Sequence, residues 1–448
     1  MVTSIDYFKS DVNSAFSMGK KQSVKVLDAC MGSGKTTGMF NVMKSLWEED
    51  KSKKFMYISL FLNEVGNPDR SLPEEERLGR IQKELPEMNF KMPFVCDETG
   101  KLGTLEKYLI RGNNIASTHA LFEKFTEQTV KLMIEQDYHL IIDEAVDSIS
   151  QYKGLCSDDV KILASSNTVK IHDDGLVEWV DQEVNACRYS DIISLCNMGS
   201  LYLYKDSVVI WEYPPLLLKE LNHVYIISYL FDGSIMSCWL QKNNIPYEYI
   251  PHSVLGLRSS EDIKKTVREN IEIINSAKIN KLRKDTGVRE NLCSVGWYKR
   301  HKEASISEGD EAIQTVKQSL ISFVSRYKTK EDKIFWTTYK YFKSDISGKG
   351  YARKGKDKLE PFLSFNTKAT NMYREYNLCA YCVNIFKTPI EVNYLKSKGI
   401  DFNSDLYALS EMIQWVFRGC IREGKPMKLL IVSDRMERLF MEWLETDS

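Results

Sequence analysis

Residues 29–37 read Ala29-Cys30-Met31-Gly32-Ser33-Gly34-Lys35-Thr36-Thr37, directly after the apolar run Val24-Lys25-Val26-Leu27. The string matches G-x-x-x-x-G-K-S/T, with Ala29 in the place of the first glycine. Gly32 and Gly34 let the backbone curl around Ser33 so that its N–H groups point inward at phosphate oxygens. Lys35 has the reach for β- and γ-phosphates, and the Thr36 hydroxyl has the chemistry to ligate Mg²⁺, with Thr37 beside it. A helix opening near Lys35 turns its positive end to the same anion site. The positions that follow, Met39, Phe40, Val42, Met43, Leu46 and Trp47, are apolar at helical spacing. Strand, glycine loop and amphipathic helix together predict a site for a nucleoside triphosphate, with ATP and Mg²⁺ as the expected ligands.

Downstream, Ile141-Ile142-Asp143-Glu144-Ala145 places two carboxylates at the end of an apolar strand. Triphosphate hydrolysis needs such a pair: Asp143 to hold Mg²⁺ from its outer shell, Glu144 to polarise the attacking water as general base. At the carboxyl end of a parallel strand, both would stand beside the phosphate loop. A capped strand end would read the same in isolation; the conjunction with the loop gives the pair its meaning. Near the C-terminus, Gln414, Arg418 and Arg422 fall at i, i+4 and i+8 and predict one polar helix face. Guanidinium groups on that face would stabilise charge developing on a γ-phosphate.

The 448 residues suffice for two or three domains. Net charge is −1, so no overall basic excess advertises a polynucleotide, although Lys and Arg can still gather on one face. No apolar stretch approaches the about 20 residues of a membrane span, and the N-terminus has no apolar signal core, which points to a cytoplasmic protein without a membrane partner. The ten cysteines are scattered and read as reduced and mostly buried. Cys379 and Cys382 form C-x-x-C with no second pair at zinc spacing, and read as core residues on a helix.

Along the chain, residues 1–22 look helical, 55–62 and 138–144 read as buried strands, and 63–105 as charged loop. Residues 114–119 give a strand end and 120–135 a helix. Strand-like fragments separated by Asp-Asp-Gly, Met-Gly-Ser and Lys-Asp turns predict a small β-rich insertion over 150–222. Val224–Phe231 returns to a core strand, and Ile245–Ile250 opens a second α/β unit. That unit has helices over 260–292, 309–327, 366–386, 404–422 and 433–446, and strands at 333–338 and 428–432. Alternation of strands and helices predicts parallel sheets.

The phosphate loop, the Asp-Glu-Ala box and the late Gln414-x-x-x-Arg418 helix, in that order, resemble a superfamily 2 helicase. Four strings are similar to bacteriophage-encoded DEAD/DEAH-box-like helicases: Ser117-Thr118-His119-Ala-Leu-Phe, Phe335-Trp336-Thr337-Thr338, Ala369-Thr370-Asn371, and Ala408-Leu409-Ser410-Glu411-Met-Ile-Gln414-Trp. The resemblance implies two RecA-like α/β lobes with parallel sheets around an ATP cleft. Lobe 1 would take 1–149 and 223–240, with the β-rich 150–222 inserted, and lobe 2 would take 241–448 with a helical, basic insertion. It implies nucleic-acid contact at Ser117, Thr118, His119, Thr337 and Thr338, coupling at Ser228, and an arginine finger at Arg418 or Arg422. The chain departs from the pattern in spacing its two arginines four apart, and in reading Asp-Glu-Ala-Val and Ser228-Tyr-Leu at the box and the coupling motif.

Two basic stretches interleave with aromatics. Lys340, Lys343, Lys349, Arg353, Lys354, Lys356 and Lys358 surround Tyr339, Tyr341, Phe342 and Tyr351. Lys281, Arg283, Lys284, Arg289, Lys299 and Arg300 lie near Trp297 and Tyr298. Cations track phosphates and aromatic rings stack on bases, so both stretches are candidate strand paths. The expectation is a monomeric ATP-dependent helicase or translocase of phage origin. It would act on single-stranded or forked DNA, with a replication or recombination protein docking on 150–222. A duplex translocase or remodeller that separates no strands is the alternative, and a nucleotide switch or a kinase fits the motifs less well.

Overall fold

A computed structural model describes residues 24–95, 100–181, 188–286, 291–307, 310–354, 359–367 and 372–446. The helix expected over 1–22, Arg289, Lys356, Lys358 and Ala369–Asn371 lie outside them. The chain is α/β and forms two compact units. One runs to Ala29, resumes over Gly34–Leu257 and takes back Thr388–Phe402; the other comprises Cys30–Ser33, Arg258–Lys387 and the chain from Asn403 onward.

The first unit is built on a six-stranded parallel sheet. Its strands are β1 (Val24–Asp28), β2 (Lys54–Ser59), β3 (Ile115–Thr118), β4 (Tyr138–Asp143), β10 (His223–Ser228) and β11 (Tyr247–Tyr249), where the intervening β5–β9 belong to the insertion. Their order is β11-β1-β10-β4-β2-β3. The strands are apolar almost throughout because both faces are covered. Val26, Met56, Ile58, Leu140, Ile142 and Ile226 pack into one core, with Trp239. Their neighbours Leu27, Phe55, Tyr57, Ile141 and Ile227 pack into another, against Met39, Phe40 and Met43 of the helix Lys35–Glu49. This is the period-2 alternation of a strand. Register aligns the strand ends that carry the motifs: Asp28 lies opposite Ser228, Ile227 opposite Asp143, and Ser59 opposite both Asp143 and Thr118.

The segment 63–105, expected as loop, contains short helices at Glu74–Arg77 and Arg80–Glu84 and a longer one at Gly100–Ile110. The helix expected over 120–135 is two, His119–Phe122 and Glu127–Glu135, and Thr126 caps the second through its side chain. Strand β11 pairs with β1. Residues 247–249 therefore belong to the first sheet, and the division falls after Leu257 instead of after residue 240.

The insertion has its own small core. Strands β5 (Ile149–Gln151), β8 (Leu201–Tyr204) and β9 (Val208–Glu212) form an antiparallel sheet, and β6 (Val169–Ile171) and β7 (Val177–Trp179) a hairpin. Leu163, Val169, Trp179, Ile192 and Leu203 pack together between these strands and the helices Ser157–Ser165 and Ser190–Asn197. The helix Pro389–Ser397 returns to the first unit, where Tyr394 and Leu395 join the core. The Tyr394 hydroxyl donates to buried Glu212 at 2.5 Å, and Lys242 pairs with the same carboxylate at 2.8 Å.

In the second unit, β12 (Ile271–Ile273), β13 (Ile334–Thr337), β14 (Leu378–Tyr381) and β15 (Met427–Ile431) form a parallel sheet ordered β12-β15-β14-β13. Two expectations fail here. Cys379 and the following Cys382 are buried, but on and just beyond a strand instead of a helix. Leu378-Cys-Ala-Tyr381 is a short apolar run buried on both faces, and such a run carries no periodicity to tell strand from helix. The helix expected over 404–422 ends at Val416, and residues 420–423 form a separate 3₁₀ turn. Gly419 lies in the break, where a Cβ would meet the Met427 methyl at 2.2 Å and both the Phe335 ring and the Tyr376 carbonyl oxygen at 2.9 Å, so no side chain fits there.

His139 on β4 and His223 on β10 stack with ring centroids 4.0 Å apart. Burial, and then the His223 charge, hold His139 down at about 3, and burial lowers His223 as well. His139 is therefore kept neutral in the folded chain well below the pH of ~6.5 at which the unfolded chain takes up its proton. The stability that goes with a neutral His139 is complete above that value and is lost as pH falls from it toward about 3, at about 1.4 kcal/mol per pH unit. His139→Phe is expected to flatten the fall in urea midpoint between pH ~6 and ~4. A slope identical to the wild type would contradict this account.

Candidate functional site

The loop after β1 is held at both ends. The Ala29 N–H donates to the Ser228 carbonyl at 3.0 Å, and the Gly38 N–H to the Gly34 carbonyl at 2.8 Å as the helix begins. Gly32 and Gly34 have φ of 81° and 91°, a region that side chains disfavour. Gly34 stands at the N-cap with no side-chain hydrogen bond, and the first turn of Lys35–Glu49 carries no acidic residue. The N–H groups at this end have no side-chain cap, and the helix dipole makes them an anion site.

Four side chains converge there. Lys35 is buried, and its ammonium lies 3.3 Å from the Glu144 carboxylate. The Thr36 hydroxyl donates to Asp143 Oδ2 at 3.5 Å. Asp143 is buried at the end of β4; burial, and then the Glu144 charge, raise it to about 7. Glu144 has φ of 69°, a left-handed conformation that costs a non-glycine residue energy and marks functional positions. Its N–H donates to the Ile227 carbonyl at 2.8 Å, which fixes the turn that aims its carboxylate at Lys35.

Tyr57 and Arg80, two supporting residues, had no motif to announce them, whereas His119, a third, stands in the Ser117-Thr118-His119 string expected to contact nucleic acid. The Tyr57 hydroxyl on β2 donates to Asp143 Oδ2 at 2.5 Å. His119 Nε2 lies 3.0 Å from the Asp143 carbonyl oxygen, so this ring steadies the strand end. Arg80 donates to the Thr37 hydroxyl at 2.6 Å. The sequence reads 55–62 as a buried strand, but the partner of Tyr57 is set by strand order, which the sequence does not write locally.

The remaining expected residues are placed as follows. Ser117 and His119 are buried and Thr118 is half-buried; Thr337 and Thr338 are wholly buried at the end of β13. Gln414 lies on the helix Ser404–Val416, with its amide 3.3 Å from Ser410 Oγ. Arg418 lies beyond that helix and Arg422 on the 3₁₀ turn, so the three do not share one helical face. Phe342, Tyr351, Trp297 and Tyr298 are core residues, which removes them as base-stacking platforms. Tyr341 differs, at 71 % exposed. Lys340, Lys349, Arg353 and Lys354 are also exposed, whereas Lys343 pairs with Glu360 and Arg283 is held by Glu437 and the Ile431 and Val432 carbonyls. No helix of the described residues is long and apolar enough to cross a membrane.

Comparison with solved structures finds the DUF1998 helicase MrfA bound to DNA and AMPPNP (11 % identity, TM-score 0.34, 97 % of this chain and 50 % of that one). It also finds the Hef helicase domain of Pyrococcus furiosus (10 % identity, TM-score 0.31, 97 % of each chain). The chain thus spans about half the length of MrfA. Among curated proteins it is 32 % identical over 447 residues to the SPbeta prophage-derived uncharacterized protein YonV of Bacillus subtilis (strain 168), covering 95 % of this chain and 99 % of that protein. Family models match as the YonV middle domain over residues 149–211 and the YonV C-terminal Rossmann-like domain over residues 265–444. This chain belongs to the YonV family.

Proposed function

We propose that the chain is an ATP hydrolase that couples turnover to movement along nucleic acid, a helicase or translocase acting on DNA. One observation carries the reading: Lys35, Thr36, Asp143 and Glu144 converge on an uncapped helix N-terminus, with Lys35 and Glu144 paired at 3.3 Å. The pair is the resting arrangement of two groups that part when a polyphosphate takes the lysine. Lys35 then binds the β- and γ-phosphates, and the freed Glu144 orients a water. As the water oxygen bonds to the γ-phosphorus, its proton passes to Glu144 and the bond to ADP breaks.

The donor set at Thr36 and Asp143 is hard oxygen on a buried carboxylate, which fits Mg²⁺. Mg²⁺ held there would neutralise phosphate charge. Exposed Lys340, Lys349, Arg353 and Lys354 would follow a phosphate backbone. Phage origin is supported by the prophage-derived YonV relative. The small core of the insertion favours a second reading, in which 150–222 docks a protein and the motor remodels without separating strands.

The test is steady-state ATP turnover of the wild type and Lys35→Ala with no polynucleotide, single-stranded DNA, duplex DNA and RNA. Coupling between a track and an ATP site is worth about 5–150-fold, so stimulation of that size by one polymer, absent in Lys35→Ala, is expected. Turnover indifferent to all the polymers would sink the motor reading and leave a protein-directed remodeller.

A further inference from the structure

The segment between β2 and the helix Gly100–Ile110 crosses itself. A Cβ on Gly79 would lie 2.3 Å from the Gly66 nitrogen and 2.6 Å from the Glu64 carbonyl oxygen, so the two strands of chain touch backbone to backbone. The Asn67 N–H donates to the Arg77 carbonyl at 2.8 Å and the Gln82 amide to the Val65 carbonyl at 2.7 Å, which locks the crossing. Its product is the position of the next residue, Arg80. The guanidinium reaches the first turn of Lys35–Glu49 and donates from Nη2 to the Thr37 hydroxyl at 2.6 Å. Its Nε donates to Glu84 at 2.6 Å, and Glu64 lies 3.8 Å from Nη1.

A cation is out of place at that end of a helix. The dipole there is positive and favours anions, and the turn carries no acidic residue of its own. Arg80 is tolerated because Glu64 and Glu84 accompany it. The arrangement repeats that of Lys35 and Glu144 on the other side of the loop: a cation aimed at the anion site, with a carboxylate holding it. Guanidinium also offers a planar fork matched to phosphate oxygens, with donors to spare beyond its carboxylate partners.

We infer that Arg80 is a further phosphate-binding residue, whose guanidinium turns from the Thr37 hydroxyl to the polyphosphate tail of the bound nucleotide. The inference rests on the nucleotide reading above and deepens it: the ligand has at least two phosphates, one for Lys35 and one for Arg80. Glu64 and Glu84 already hold the guanidinium, so little of its freedom is lost on binding.

The test uses the full chain with a fluorescent ATP analogue displaced by inorganic tripolyphosphate, which reports on phosphates without base or ribose. Arg80→Gln is expected to weaken both ligands about tenfold, the size of one hydrogen bond to a charged group. Arg80→Lys is expected to recover part of the loss, because ammonium lacks the fork. Melting curves separate binding from folding. A phosphate contact lowers the rise in melting temperature that tripolyphosphate produces, whereas a structural role lowers the melting temperature equally with and without it. Unchanged tripolyphosphate affinity in Arg80→Gln, beside a weakened Lys35→Ala, overturns the role of Arg80 alone. Unchanged affinity in both variants overturns the nucleotide reading itself.

Discussion

Glu144→Gln is expected to cut ATP turnover about 10²–10⁴-fold, the contribution of a positioned general base. The amide keeps the shape of the side chain and its left-handed backbone but cannot accept the water proton. Nucleotide binding is expected to survive or tighten. In the wild type the carboxylate 3.3 Å from Lys35 competes with phosphate for the ammonium, and the variant removes that competitor. Single-turnover hydrolysis measured beside equilibrium nucleotide binding separates the two effects. A variant that turns over at the wild-type rate removes Glu144 from the chemistry.

Gly79→Ala is expected to be the most damaging single-methyl change in the first unit. Overpacking commonly costs about 1–3 kcal/mol where side chains can shift. Here the three nearest atoms, on Gly66, Glu64 and Val65, all belong to the backbone, so the cost should reach the top of that range. The crossing must open, and Arg80 leaves Thr37 with it. Trypsin should then cut faster at Arg77 and Arg80, while cleavage across the second unit stays unchanged. Wild-type proteolysis of the 62–84 segment would show that the crossing is not needed to hold it.

The sequence was most legible where a local pattern and a chemical requirement coincide. Val24–Leu27 followed by a glycine loop and a period-3.6 apolar series predicts both β1 and the helix Lys35–Glu49. The two carboxylates after Leu140-Ile-Ile announce a strand end. The parallel α/β architecture follows from buried strands alternating with helices, and the turns over 150–222 mark the antiparallel insertion. Legibility ended where structure depends on adjacency. Nothing in Tyr247-Glu-Tyr249 says that it will pair with β1, some two hundred residues earlier in the chain. Residue 419 must be glycine because of what surrounds it, Met427, Phe335 and Tyr376, and no periodicity reports that. The aromatics beside the lysines of 340–354 read as a stacking surface, yet Phe342 and Tyr351 fill the core and only Tyr341 stands out in solvent. Arg80 was hidden for the same reason: it sits in a proline-interrupted segment without periodicity, and two glycines aim it.

The return of Pro389–Ser397 to the first unit sets how this gene can be cut. Beyond the short excursion at Cys30–Ser33, the polypeptide passes from the first unit to the second after Leu257, back at Thr388 and out again at Asn403. A fragment beginning at Arg258 would carry a stray helix with Tyr394 and Leu395 stripped of their core, and the complementary fragment would leave Glu212 without its tyrosine. No single breakpoint yields two whole units, so a simple crossover that trades one of them for a homologue's would leave both incomplete.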